Sequence, residues 1–278
     1  MMAQELMPEE KKRLVIYAGR RRSVATVLLI WALANRTPSV EIVGVVCPSE
    51  FNWKRIRGWY RRFGGKVIGK VLTEFGLRGA EKGSFDEEHE ILRERWREWE
   101  IDTASVSTIC SRLNIPFRVV SRINSRVAVE TVKGYKPDYA VYSGAGILRS
   151  PILEAGSKVL NLHSGPLPAV RGMNAVEWSL FLGLQPEVTL HYIDEGIDTG
   201  RIISSAQIKV EVDDPIGRLR GKAILSGIDL LVDSLNEWEL RKERENPPSG
   251  GKQYYSMSDT LKDQLQVWIK QGKTPGSP

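Results

Sequence analysis

The chain has 278 residues, 41% hydrophobic and 27% charged, which is ordinary for a globular protein with a sizeable core. Its formal net charge of +6 points toward an anionic partner. No apolar run approaches the ~20 residues a membrane span requires, the first residues mix acids with bases as no secretory leader does, and Cys47 and Cys110 lie far apart without a ligand motif, so a reduced, cytoplasmic setting is expected.

In chain order, Arg13 to Gly19 reads as a buried strand closing in a turn, and Ser23 to Ala34 as a helix with Ser23 as N-cap. Val40 to Cys47 is a second strand, rich in β-branched residues. From Phe51 to Leu72 there is no acid, while Lys54, Arg55, Arg57, Arg61, Arg62, Lys66 and Lys70 interleave with Trp53, Trp59, Tyr60 and Phe63. Such a stretch suits nucleic acid, a membrane surface or a diphosphate, although a solvated basic face is the plainer reading. Charged Asp86–Trp99, which includes His89, and then Asp102–Leu113 read as helices, followed by a short strand at Phe117–Val120.

A further helix ends near Tyr135, and the strand Pro137–Ser143 closes at Gly144–Gly146. After a helical turn at Ile152–Ala155 comes the strand Lys158–His163, then a helix at Asn174–Leu182 and strands at Val188–Ile193 and Gly200–Ile208. A long helix is expected over Pro215–Lys242, a linker at Pro247–Gly251, a closing element over Tyr254–Gly272 and a disordered tail from Thr274. This alternation implies an α/β fold: a Rossmann-like, mainly parallel twisted sheet with helices on both faces, plus a small, mostly helical C-terminal appendage. Gly19 is followed by Arg20, Arg21 and Arg22, so the glycine fingerprints that cradle a dinucleotide or ATP are missing.

The chemistry concentrates in two stretches, Asn161-Leu-His-Ser-Gly-Pro-Leu-Pro-Ala-Val-Arg-Gly172 and His191-Tyr-Ile-Asp-Glu-Gly-Ile-Asp-Thr-Gly200. Residues two apart on a strand share a face, so Asn161 and His163 converge at a strand end, where parallel α/β sheets hold ligands. Asp198, between Gly196 and Gly200, can approach from the adjacent loop. An amide donor for an oxyanion, an imidazole and an orienting carboxylate suit acyl transfer to an amine. Ser164 lacks a nucleophile-elbow setting, which favours direct transfer over an acyl-enzyme. His163, His191 and Asp198 are also a zinc-type donor set, but His191 shares face parity with Ile193 and reads as a buried structural residue, so no metal is expected.

Asn161-Leu-His163 with Leu167-Pro168 and Arg171-Gly172, together with His191 to Gly200, resembles the signature of the N10-formyltetrahydrofolate-dependent formyltransferases. The likeness is strong over Pro137–Ile203 and is closest to the bacterial sugar N-formyltransferases. It implies Asn161, His163 and Asp198 as catalytic residues, and Ser143, Gly144, Gly146, Ile147, Leu148, Asp194, Glu195 and Gly196 as the folate-binding segments. Arg171 and Asn174 are candidates for the acceptor. It implies N10-formyltetrahydrofolate as formyl donor and a nucleotide-linked amino sugar of surface polysaccharide such as O-antigen as acceptor, with an aminoacyl group on tRNA or a carrier as the alternative. A basic nucleic-acid-binding module with a vestigial site is the reading from another class. Nucleic acid is otherwise not expected as a partner, and a homodimer is left open. The corresponding layout is an N-terminal tail at 1–12, a catalytic domain at 13–210 with a basic and charged insert near 51–100, and a C-terminal helical segment and tail at 211–278.

Overall fold

The computed structural model describes residues 11–49, 84–155, 157–237 and 250–273, without the side chains of 84–89. Residues 1–10 of the tail expected at 1–12, the basic aromatic stretch 51–72, the His89 side chain, most of the Pro247–Gly251 linker and the tail from Thr274 therefore lie outside the described residues, while Lys12 already belongs to the first strand. The elements begin with β1 (Lys12–Ala18), α1 (Val24–Arg36), β2 (Val40–Pro48), α2 (Ser84–Glu98), α3 (Val106–Arg112) and β3 (Phe117–Val120). They continue with α4 (Arg126–Tyr135), β4 (Tyr139–Ser143), α5 (Ser150–Leu153), β5 (Lys158–His163), β6 (Val170–Gly172) and α6 (Ala175–Phe181). The chain then runs through β7 (Glu187–Tyr192), β8 (Ile202–Gln207), α7 (Ile216–Asn236), β9 (Lys252–Tyr254) and α8 (Asp259–Lys270).

Seven strands form one sheet in the order β3-β2-β1-β4-β5-β7-β8, parallel from β3 to β5 and antiparallel at β7 and β8. This is the expected mainly parallel α/β sheet. The central β1 is buried from Leu14 to Ala18 because helices cover both of its faces, which is why its sequence shows no apolar alternation. The expected Ser23 cap forms, and local capping not named from the sequence bounds α4. Ser23 caps α1 by accepting the Thr26 N–H, and Ser125 caps α4 through Ala128. Lys136, with φ of 47°, ends α4 ahead of Pro137.

The two faces carry separate cores. On one, Leu14, Ile16, Val45, Leu160 and Leu190 pack with α1, α2 and the long α7. Thirteen residues of α7 are buried, so this helix covers the sheet itself. On the other, Val15, Tyr17, Ala140 and Val159 pack with Ala128 and Val132 of α4 and Ile152 of α5. Asn161 and His163 continue the second face by the two-residue repeat from Val159. Strand order reverses between β1 and β4, where Gly19 N–H bonds to the Ser143 carbonyl at 2.8 Å, and the next strand ends carry the site.

One small sheet has no counterpart among the elements expected from the sequence. β6 pairs in parallel with β9, matching Arg171 with Gln253 and Gly172 with Tyr254. The segment after the motif is thereby tied to the closing segment, and α8 packs beyond it through Leu265 and Ile269.

Candidate active site

Three strands and two loops build the site. In the antiparallel β5–β7 pair, Asn161 faces His191 and His163 faces Thr189, so these four side chains share one side of the sheet. The Thr189 hydroxyl accepts the Leu167 N–H at 3.3 Å and donates to the Gly165 carbonyl at 2.8 Å, which fixes the proline-rich loop beyond His163. A side chain at Gly165 would stand 2.7 Å from the Ala175 Cβ and 3.1 Å from His163 Nε2, so only glycine permits this path. After β7 the chain folds back over the sheet and delivers Asp198, at φ of 52°.

The three expected residues come together. Asp198 Oδ2 lies 3.5 Å from His163 Nδ1, and its Oδ1 lies 3.7 Å from His191 Nε2. The Gly172 N–H donates to Asp198 Oδ2 at 2.8 Å. His163 is 6% exposed, and its Nε2 lies 2.8 Å from the Val170 carbonyl. A carbonyl only accepts, so Nε2 carries the hydrogen. A second hydrogen on Nδ1 turns the contact with Asp198 from a lone-pair repulsion into an ion pair.

His191 belongs to the same cluster. It is 1% exposed, as the sequence reading expected, and its Nδ1 donates to the Tyr192 carbonyl at 2.7 Å. Its Nε2 is left as an acceptor and takes one amide hydrogen of Asn161 at 3.0 Å. That bond uses one of the two Asn161 amide hydrogens, and the other meets no acceptor among the described residues. Burial pushes the His191 pKa from 6.5 down to about 4, against the opposing pull of Asp198, so the ring is neutral near pH 7. Among the described residues no group of three His, Cys, Asp or Glu side chains is arranged to hold a metal.

The segments expected to hold the donor flank this cluster. Gly144 and Gly146 have φ of 81° and 87°, and Ile147, 72% exposed, stands between two bonds from Asn124 to the Ile147 carbonyl and the Arg149 N–H. Ser143 is held from α1 by a 2.9 Å contact with Thr26, while Leu148 packs into the second core. In the other loop, Asp194 accepts from the Gly196 N–H and the Thr199 hydroxyl. The loops meet where the Ser150 hydroxyl donates to Glu195 at 3.4 Å. Two adjoining loops with an exposed aliphatic tip can wall a flat heterocycle.

On the other side lie the acceptor candidates. Arg171 keeps Nε buried with no partner among the described residues. The Asn174 amide is committed within the protein, donating to Glu177 at 2.8 Å and accepting the Met257 N–H at 3.0 Å. A cavity of about 350 Å³ beside His163 is lined by Asn174, Glu177 and Arg220, residues among which the sequence reading had singled out only Asn174. A cavity of about 390 Å³ at the far end of β5, lined by Lys158, Tyr192 and Arg201, contains none of the cluster residues.

Residues 101–234 match the family model described as "Formyl transferase". The chain is 28% identical over 188 residues to a methionyl-tRNA formyltransferase of Clostridium tetani, covering 64% of this chain and 58% of that protein. It is 30% identical over 150 residues to one of Halothermothrix orenii, covering 53% and 48%. The chain thus spans less than two thirds of these curated relatives. Among crystal structures, it is similar to a phosphoribosylglycinamide formyltransferase of Bacillus halodurans, with a TM-score of 0.52 at 20% identity over 82% of this chain and 95% of that one. A sugar N-formyltransferase of a Shewanella species gives 0.53 at 13% identity over 93% and 87%. At those identities the likeness is one of fold.

Proposed function

We propose that this chain, an enzyme of the formyltransferase family through its residues 101–234, moves the formyl group of N10-formyltetrahydrofolate onto a primary amine. The observation that carries the reading is the meeting of Asn161, His163 and Asp198, with His191 behind Asn161, between two loops that suit a pteridine. The acceptor nitrogen bonds to the formyl carbon, the bond from that carbon to the donor nitrogen breaks, and one proton passes from acceptor nitrogen to donor nitrogen. The free Asn161 hydrogen receives the developing oxyanion. His163, held between the Val170 carbonyl and Asp198, polarises the same oxygen, and Asp198 takes and returns the proton. Ser143, Gly144, Gly146, Ile147 and Leu148 would hold one edge of the folate, and Asp194, Glu195 and Gly196 the other.

Of the two acceptors open from the sequence, the aminoacyl group of a charged tRNA has the firmer support. Curated relatives at 28–30% identity are methionyl-tRNA formyltransferases, while the sugar N-formyltransferase at 13% shares the fold. This acceptor makes nucleic acid a partner, which revises the sequence expectation, and gives the +6 charge and Arg171 phosphates to neutralise. A cytoplasmic location follows from such substrates, and no helix of the described residues is long and apolar enough to cross a membrane.

The test incubates the chain with the folate donor and either methionyl-tRNA or a panel of nucleotide-linked amino sugars, reading formylated product by mass spectrometry. Formyl-methionyl-tRNA is expected, with a loss of about 10²–10³ in kcat for Asn161→Ala. Exclusive formylation of a nucleotide sugar would restore the other acceptor. No product from any amine, or full turnover by Asn161→Ala, would overturn the mechanism.

A further inference from the structure

The segment from Ser143 to Leu148 owes its shape to residues outside it. It leaves the sheet where β4 ends, and its near end is fixed there. The Gly19 N–H bonds to the Ser143 carbonyl at 2.8 Å, and the Ser143 hydroxyl meets that of Thr26, 2% exposed on α1, at 2.9 Å. Gly144 and Gly146, with φ of 81° and 87°, then take a path that other residues rarely adopt. At the far end two hydrogen bonds arrive from one side chain. Asn124 donates Nδ2 to the Ile147 carbonyl at 2.8 Å and accepts the Arg149 N–H on Oδ1 at 2.8 Å, from 23 and 25 positions back in the chain.

Asn124 is itself firmly mounted. Ile123, 4% exposed, is anchored in the second core, while the Ser125 N–H turns back to the Arg122 carbonyl and its hydroxyl caps α4 through the Ala128 N–H. A side-chain amide carries a donor and an acceptor side by side, so it can engage a carbonyl and an N–H two residues apart as a neighbouring strand would. The two bonds bracket Leu148 and leave Ile147 at the exposed tip. They also set the start of α5, since the Arg149 carbonyl receives the Ile152 N–H at 3.0 Å and the next residue, Ser150, donates to Glu195 of the opposite loop. One amide thus ties down the point where the two loops meet.

We propose that Asn124 is a positioning residue for the folate donor: its amide holds the Ile147–Arg149 backbone in the binding shape before the donor arrives. The inference rests on the reading of Ser143–Leu148 as a donor-binding segment, and it adds a residue outside both signature stretches. Asn124 acts through the backbone it holds and not on the reacting atoms. Without its two bonds the tip beyond the glycines is free to sample other conformations, and donor binding then carries the entropic cost of ordering it.

The experiment measures the Kd of 5-formyltetrahydrofolate, a non-transferring isomer of the donor, for the full chain and three variants. Asn124→Ala removes both bonds, and Asn124→Asp keeps the acceptor but sets a carboxylate against the Ile147 carbonyl. Ser125→Ala, one residue on, removes the α4 cap and leaves the amide in place. Both Asn124 variants are expected to raise this Kd and the KM for the donor tenfold or more, with KM for the amine acceptor unchanged. Hydrogen exchange at the Arg149 amide should quicken in Asn124→Ala. Ser125→Ala is expected to lower the melting temperature and leave the folate constants as in the wild type. Where thermal melting shows one Asn124 variant to be unfolded, the other decides. A folded Asn124 variant with wild-type Kd would overturn the proposal. So would an equal loss of affinity in Ser125→Ala, since general loosening would then account for both. A wild-type chain that does not bind the folate would instead sink the donor reading beneath it.

Discussion

The His191 ring gives one hydrogen to the Tyr192 carbonyl and keeps Nε2 for Asn161, an arrangement that requires the neutral form. Parity with Ile193 correctly pointed to a buried side chain. It said nothing of Asn161, because the same sheet face is core at Val159 and part of the His163–Asp198 cluster at its end. A pH dependence follows. With a folded pKa of about 4 against 6.5 for the free side chain, the unfolded chain takes up a proton between these values that the native chain does not. Stability from this group is therefore complete above pH 6.5 and lost progressively as the pH falls toward 4. The loss reaches at most about 3–4 kcal/mol, since each pKa unit is worth about 1.4 kcal/mol. Thermal melts at pH 7 and pH 4.5 should show the wild type losing more stability than His191→Phe. Equal losses would mean that this imidazole titrates normally. At pH 7 the variant should also show kcat reduced on the order of tenfold, as the Asn161 amide loses the bond that orients it.

At the scale of elements, the β6–β9 pair links the geometry of the proposed site to a segment some eighty residues away. Gly172 is its hinge. Its N–H fixes Asp198 Oδ2, its φ is 95°, and a Cβ there would lie 2.2 Å from the Tyr254 carbonyl oxygen. Gly172→Ala must push β9 away or rotate the peptide, and either movement withdraws the donor from Asp198. A destabilisation of about 1–3 kcal/mol is expected from the strained backbone alone. Activity should fall further than that destabilisation explains, with kcat down at least tenfold in protein that is still folded by circular dichroism. A folded variant with normal kcat would show that Asp198 does not depend on this peptide. Nothing local in the sequence announces the pair. Two three-residue strands in parallel need no hairpin turn, and two prolines precede the first of them. Asn161, His163 and Asp198 were legible because strand parity and flanking glycines constrain them. Glu177 and Arg220 were not, because their meeting depends on how α6 and α7 pack, forty-three positions apart.

Across the whole molecule, the alternation of strands and helices was readable because β1, β2, β4 and β5 are apolar runs broken by capped helices. The order of the strands and the antiparallel turn at β7 were not, since they are set by which edges remain open once α7 covers one face. This build implies two levels of stability. The parallel centre is buried on both faces, whereas β6, β9 and α8 form an outer layer held by few anchors. Its anchors include Met257, Leu265 and Ile269, all at most 3% exposed, the Phe181–Trp268 ring contact at 5.8 Å, and Gln266, which accepts the Ile216 N–H at the start of α7. Leu265→Ala deletes one buried anchor at a cost of about 2–5 kcal/mol. If the layer opens as its own unit, hydrogen exchange in the variant should quicken at the backbone amides of β9 and α8 and change little in β1 and β4. If Asn174 meets the acceptor as proposed, KM for the acceptor should rise in step, because the Met257 N–H holds Asn174. Exchange that quickens uniformly through β1 and β4 would mean a single cooperative unit, with the acceptor side no softer than the centre of the sheet.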